Sequence, residues 1–232
     1  MTETFQPLLL AMATFVIGHI VIASLPVREA VIGRIGVNGF RILFSVFALV
    51  TLVWAIRSYA AAPYEELWAQ TTALRQVPAM IMPIACILAV AGVSTRNVTS
   101  VGGETLSPMD APSRGIVTFT RHPLMWGFAL WALAHLAPNG DVASVIFFGG
   151  MALLSLLGMR HIDHRRQATM GSDWGPMALT TSAIPFVAYI QGRTKIDWKG
   201  IGLTRLALGL GLYVAILMAH EWAFGVSPMP AG

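Results

Sequence analysis

Long apolar stretches alternate with short polar breaks along the chain. Residues 7–25 (PLLLAMATFVIGHIVIASL), 40–60, 77–95, 142–159 and 201–220 each approach the roughly 20 mostly apolar residues that a membrane-crossing helix needs. A sixth run, 124–137, is short, and it reaches spanning length by extending backwards through Gly115–Phe119, with Arg121 and His122 at an interface. Pro138-Asn139-Gly140-Asp141 reads as a compact turn before the next span. Residues 179–190 (LTTSAIPFVAYI) are too few to cross and contain Pro185, so they predict an interfacial or re-entrant element. The pattern therefore predicts an all-α polytopic bundle of about six transmembrane helices plus one such segment. With no internal repeat and no hydrophilic linker, residues 1–232 read as a single transmembrane domain.

Composition sharpens this picture. The chain is 56% hydrophobic and 11% charged, with a mean hydropathy of +0.68. Soluble domains carry about 25% charged residues. The net charge of +4 does not point to nucleic acid, because the basic residues are scattered singly. They report topology instead: with the N-terminus outside, thirteen of the fifteen basic residues fall in inner loops and only Arg57 and Arg75 lie outside. This predicts a multi-pass protein of a bacterial inner membrane with both termini periplasmic, in contact with anionic lipid headgroups. The N-terminus MTETFQPLLL lacks a basic signal region and a small-residue cleavage site, so the first apolar run is expected to remain as a helix. The single cysteine, Cys86, rules out an intramolecular disulfide and cysteine-rich metal centres.

Ionisable groups inside spans are costly and point to function. His19 lies six residues from the inner end of the first span, and His135 about 16 Å along a helix from Leu124. Both are expected near mid-depth, where a neutral imidazole ligates a metal or hydrogen-bonds to a neighbouring helix. A bis-histidine haem needs only two such groups on facing helices, whereas a bare zinc or di-iron site lacks the further ligands. His220, beside Glu221 and Trp222, reads as interfacial, and His161 and His164 as facing water and headgroups. In Arg121-His122-Pro123 the proline marks a helix start. Arg121, His122, Arg28, Arg34 and Arg41 share one membrane side. They are expected either to bind an anion such as phosphate or a haem propionate, or to snorkel as topology determinants.

The stretches GHIVIASLPVR, NGFRILFS, TRHPLMWGFALWALAHL and NGD, in that order, resemble the NnrU family of bacterial membrane proteins. That family is associated with denitrification, which implies a role in nitric oxide metabolism, with nitrite or nitric oxide reductase components as partners. Its domain is similar to that of the 15-cis-zeta-carotene isomerases, which bind haem b and isomerise a carotenoid double bond when the iron is reduced. The resemblance implies His19 and His135 as haem ligands, and it places Ala132 where those enzymes carry a cysteine. RHPLMWG with RRQATMGSDWGPMALTTSAIPF also resembles isoprenylcysteine-type membrane methyltransferases. There the RHP histidine helps hold S-adenosylmethionine; here Met125, Trp174 and Met177 replace tyrosines, and Asp163 alone remains of an acidic pair. A non-catalytic assembly factor for the reductases is the third class of function.

Overall fold

In the computed structural model, which describes residues 4–100, 102–103, 106 and 113–228, the chain is helical almost throughout. Helix α1 spans Gln6–Ala23, α2 Leu25–Ala60, α3 Thr72–Ser94, α4 Pro123–Leu136, α5 Val142–Met170 and α9 Leu203–Phe224. Three short helices, α6 (Trp174–Thr180), α7 (Val187–Ile190) and α8 (Trp198–Ile201), join α5 to α9. Among the described residues, five helices (all of the long ones except α4) have the length and apolarity to cross a membrane. The chain is thus a polytopic helical bundle.

The helix ends follow from local chemistry. Pro7 and Pro26 sit in the first turns of α1 and α2, where a missing N–H is harmless. The Thr71 hydroxyl accepts from Leu74 N–H at the start of α3, and an Asp141 carboxylate oxygen accepts from Ser144 N–H at the start of α5. Helix α2 is too long for one span and kinks at Gly36, whose φ of 72° lies where residues with a Cβ are strained. Its first third, with Arg28 and Arg34, is thereby separated from the membrane-length segment that follows.

Packing runs in the order α2, α1, α5, α4, α3, α9. Apolar surface gives little drive for association within lipid, so close contact between small residues carries much of it. A Cβ on Gly92 of α3 would stand 2.7 Å from the backbone nitrogen of Leu124, and one on Gly127 of α4 3.0 Å from the Ala85 carbonyl oxygen. These two glycines let α3 and α4 touch backbone to backbone. Towards the lipid side, α9 buries only Gly209, and Met218 and Trp222 are 80% and 91% exposed.

The expected backward extension of the fourth span does not occur. Gly115–Thr118 forms a separate, buried 3-10 turn, and α4 starts only at Pro123. At about 21 Å for 14 residues, α4 is shorter than the roughly 30 Å hydrocarbon core. The gap is closed by non-helical backbone, which such depth tolerates only where protein satisfies its polar groups. Arg121 N–H donates to the Ser182 carbonyl, Phe186 N–H to that of Phe119, and Trp126 Nε1–H to that of Ala183. Asn97 Nδ2–H and the Thr99 hydroxyl both donate to the Arg121 carbonyl. The segment around Pro185 is therefore a plug that completes the start of α4. Phe186 adopts φ 64°, costly for a bulky residue, and its ring packs edge-on against Phe119.

Candidate functional site

Helix α4 carries a histidine at each end, and the bundle treats them in opposite ways. His122 is buried at the arginine-rich face. Its Nε2–H donates to Asp163 Oδ1 at 2.7 Å, and Arg121 engages the same carboxylate through Nε (3.0 and 2.9 Å) and Nη2 (2.6 Å). The Arg121 guanidinium also lies 5.5 Å from the Trp174 ring centroid. A carboxylate shared by a fork and an imidazole is a strong, directional node. It ties the start of α4 to α5, and it uses the two groups that the sequence left available for an anion or for S-adenosylmethionine.

Two other arginines of that expected pocket, Arg28 and Arg41, belong to α2. Arg28 stacks over Phe40 at 5.4 Å on its own helix, while Arg41 reaches towards Gly102 in the loop between α3 and α4. A more open hollow of about 400 Å³ lies beside Arg121, lined by Leu179, Thr181, Ile184 and Arg193. Its second cation is tied down, since Arg193 donates to the carbonyls of Ala178, Leu179 and Thr181. Next to this region, Asp197 accepts from the backbone N–H groups of Gly115 and Gly200, which hold its carboxyl below the usual range.

His135 is the penultimate residue of α4 and so lies at the face that carries the chain termini, not at mid-depth. His135 Nδ1–H donates to the Trp131 carbonyl at 2.8 Å, so in the neutral ring the lone pair is on Nε2. Its ring lies 5.5 Å from Trp131, 5.6 Å from Phe148 and 6.4 Å from His220 of α9, centroid to centroid. His135 and His220 line a cavity of about 410 Å³, with Met82 and Tyr213 in its wall and Gln70 and Arg75 also bordering it. That volume is within the range of small-molecule sites.

His19 belongs to a different environment. Its Nδ1–H donates to the Phe15 carbonyl, and its ring sits among Phe15, Phe44 and Phe47 at 4.3 to 5.7 Å. The structure gives the two histidines separate sets of ring neighbours, Phe15, Phe44 and Phe47 around His19 and Trp131, Phe148 and His220 around His135.

The sequence profile of the NnrU family, described as "NnrU protein", matches residues 7–228. The chain belongs to the NnrU family. Among curated proteins, this NnrU-family chain is 30% identical over 230 residues to the chloroplastic 15-cis-zeta-carotene isomerase of Arabidopsis thaliana, covering 95% of the chain and 61% of that relative. It is 28% identical over 192 residues to the Zea mays enzyme of the same name, covering 82% of the chain and 52% of the relative. The chain thus spans between half and two thirds of these relatives' length. No solved structure matches.

Two contacts are not legible in the sequence. His220 reads as interfacial, and the structure adds that its ring lies 6.4 Å from that of His135, since nothing in a linear pattern says that the last helix returns beside the end of the fourth. Asp163 was noted only as the remnant of an acidic pair. Its isolation in HIDHRR, a single acid among basic residues, was the signal that it serves as a counter-ion.

Proposed function

We propose that this chain is a membrane-embedded haem b-binding protein of isomerase type, acting on an extended apolar polyene that enters from the lipid phase. The observation that carries the reading is His135, an imidazole with its lone pair on Nε2, lining an apolar cavity in a chain similar over 95% of its length to a named isomerase. A haem bound there supplies a metal centre whose electron count can change while the substrate gains and loses no atoms. The chain's own residues do the rest. The Trp131 carbonyl orients His135, and the rings of Trp131 and Phe148 shield it from water. Arg75 and Gln70, joined by a 2.9 Å hydrogen bond, provide a polar border against which carboxylate groups pair.

Family membership supports nitric oxide metabolism as the physiological setting, tested by nitrite and nitric oxide reductase activities in a deletion strain. The cofactor is tested directly by spectroscopy. Protein purified in detergent from haem-replete cells is expected to show a Soret band that His135→Ala abolishes. Colourless wild-type protein refutes the reading. If the haem protein forms, its reduced state is expected to isomerise a cis-polyene and its oxidised state to leave it unchanged.

A further inference from the structure

We infer that the hollow beside Arg193 seats the phosphodiester headgroup of an anionic phospholipid. It lies by the start of α4, at the opposite end of that helix from His135, and it does not rest on the haem reading.

Three observations carry it. The first is an uncompensated charge. Two guanidinium groups border the hollow, Arg121 and Arg193. Arg121 is neutralised by Asp163, whereas Arg193 meets no carboxylate among the described residues. Arg193 Nη1–H donates to the carbonyls of Ala178, Leu179 and Thr181, and Nε–H to Gln191 Oε1. These neutral acceptors, most of them at the end of α6, hold the guanidinium in place and leave its positive charge standing. A fixed, planar donor group of this kind suits phosphate oxygens.

The second is the apolar setting. Ala183 and Val187 line the same hollow, and its rim carries Leu179 and Ile184, which are 68% and 61% exposed. They belong to the segment around Pro185, which is too short to cross a membrane, so they meet acyl chains close to the headgroup layer. A ligand that satisfies both the cation and this rim has an anionic head and apolar chains. Inorganic phosphate satisfies only the cation.

The third is the sign of the neighbourhood. Lys195 and Lys199 follow Arg193 and are exposed, and the acid between them, Asp197, is engaged by the backbone N–H groups of Gly115 and Gly200. Arg205 also ends on neutral acceptors, the Ser94 hydroxyl and the carbonyls of Gly200 and Ile201. Such a surface draws anionic lipid towards the hollow.

The test uses the full chain in detergent micelles doped with phosphatidylglycerol or phosphatidylcholine, with lipid retention read by native mass spectrometry. Wild type is expected to keep a single phosphatidylglycerol, saturably, under conditions that strip phosphatidylcholine. Arg193→Gln is expected to weaken that retention about five-fold, the effect of one basic residue at an anionic surface. Lys199→Gln is expected to weaken it less. Ile184→Glu, which puts a like charge on the rim at an exposed position, is expected to abolish the preference, and Ile184→Gln to keep it. The Ile184 pair decides the matter if Arg193→Gln fails to fold. Equal retention of both lipids by wild type overturns the inference, as does undiminished retention in Ile184→Glu. A loss in Lys199→Gln as large as that in Arg193→Gln also overturns it, marking a diffuse basic surface without a seat. Displacement of phosphatidylglycerol by millimolar inorganic phosphate, bound in its place, overturns it in favour of a soluble anion.

Discussion

His122 and His135 are thirteen residues apart on one helix, yet one is a structural fixture and the other is available for chemistry. His122 is buried with a carboxylate across from it and an arginine sharing that carboxylate. His135 has only its own helix's carbonyl on one nitrogen, and aromatic rings and a second imidazole on the other sides. The difference comes from the partner helix, not from the histidine. Where α5 presents Asp163, a polar pair closes the site; where α9 presents His220, two imidazoles line one cavity with ring centroids 6.4 Å apart. A charged residue in a membrane protein is thus as readily a rivet as a ligand, and its counter-ion distinguishes the two.

The comparison can be broken in graded ways. The largest stability effect is expected from Asp163→Ala, which leaves Arg121 and His122 without their shared carboxylate. The loss should be about 3 kcal/mol, the lower end for a broken buried pair because the Arg121 and Asp163 side chains keep some solvent contact. Unfolding in denaturing detergent would measure it. The haem spectrum of the surviving folded protein should be unchanged, and a shifted spectrum would show that the two ends of α4 are coupled. A smaller effect, about 1–3 kcal/mol, is expected from Gly92→Val, which forces α3 away from Leu124 by overpacking. This variant should disturb both ends of α4, because it moves the whole helix.

Asp141→Ala removes the cap of α5 and the carboxylate that accepts from the Ser144 hydroxyl, itself paired with the Tyr59 hydroxyl. About 1 kcal/mol is expected, read as a lower thermal midpoint. The effect should reach His135 rather than His122, since Phe148 lies one turn further along α5. The smallest effect is a pH dependence at Asp197. Two backbone N–H donors hold its folded carboxyl below the ordinary 3.8, so stability from this contact is present above that value and is lost as pH falls through the lower folded one. Asp197→Asn should flatten that acid limb of the stability profile and leave neutral pH nearly unaffected.

Much of the fold was legible because hydrophobic length is a local quantity. The runs at 7–25, 40–60, 77–95, 142–159 and 201–220 correspond to α1, the straight part of α2, α3, α5 and α9. The short run at 124–137 and the Pro185 segment were recognised as anomalous. What repaired them was hidden, because the plug works through backbone carbonyls at Ser182 and Ala183 that every residue type carries.

Composition and hydropathy by themselves thus determined a membrane-embedded helical bundle and five of its long apolar helices. Only the tertiary structure decided which polar groups meet. It gave His122 to Asp163, set His19 among Phe15, Phe44 and Phe47, and brought His220 of α9 to 6.4 Å from His135. The physical reason is that burial in lipid depends on each segment alone, whereas pairing depends on helix order and depth, which the spacing of residues along a chain does not record.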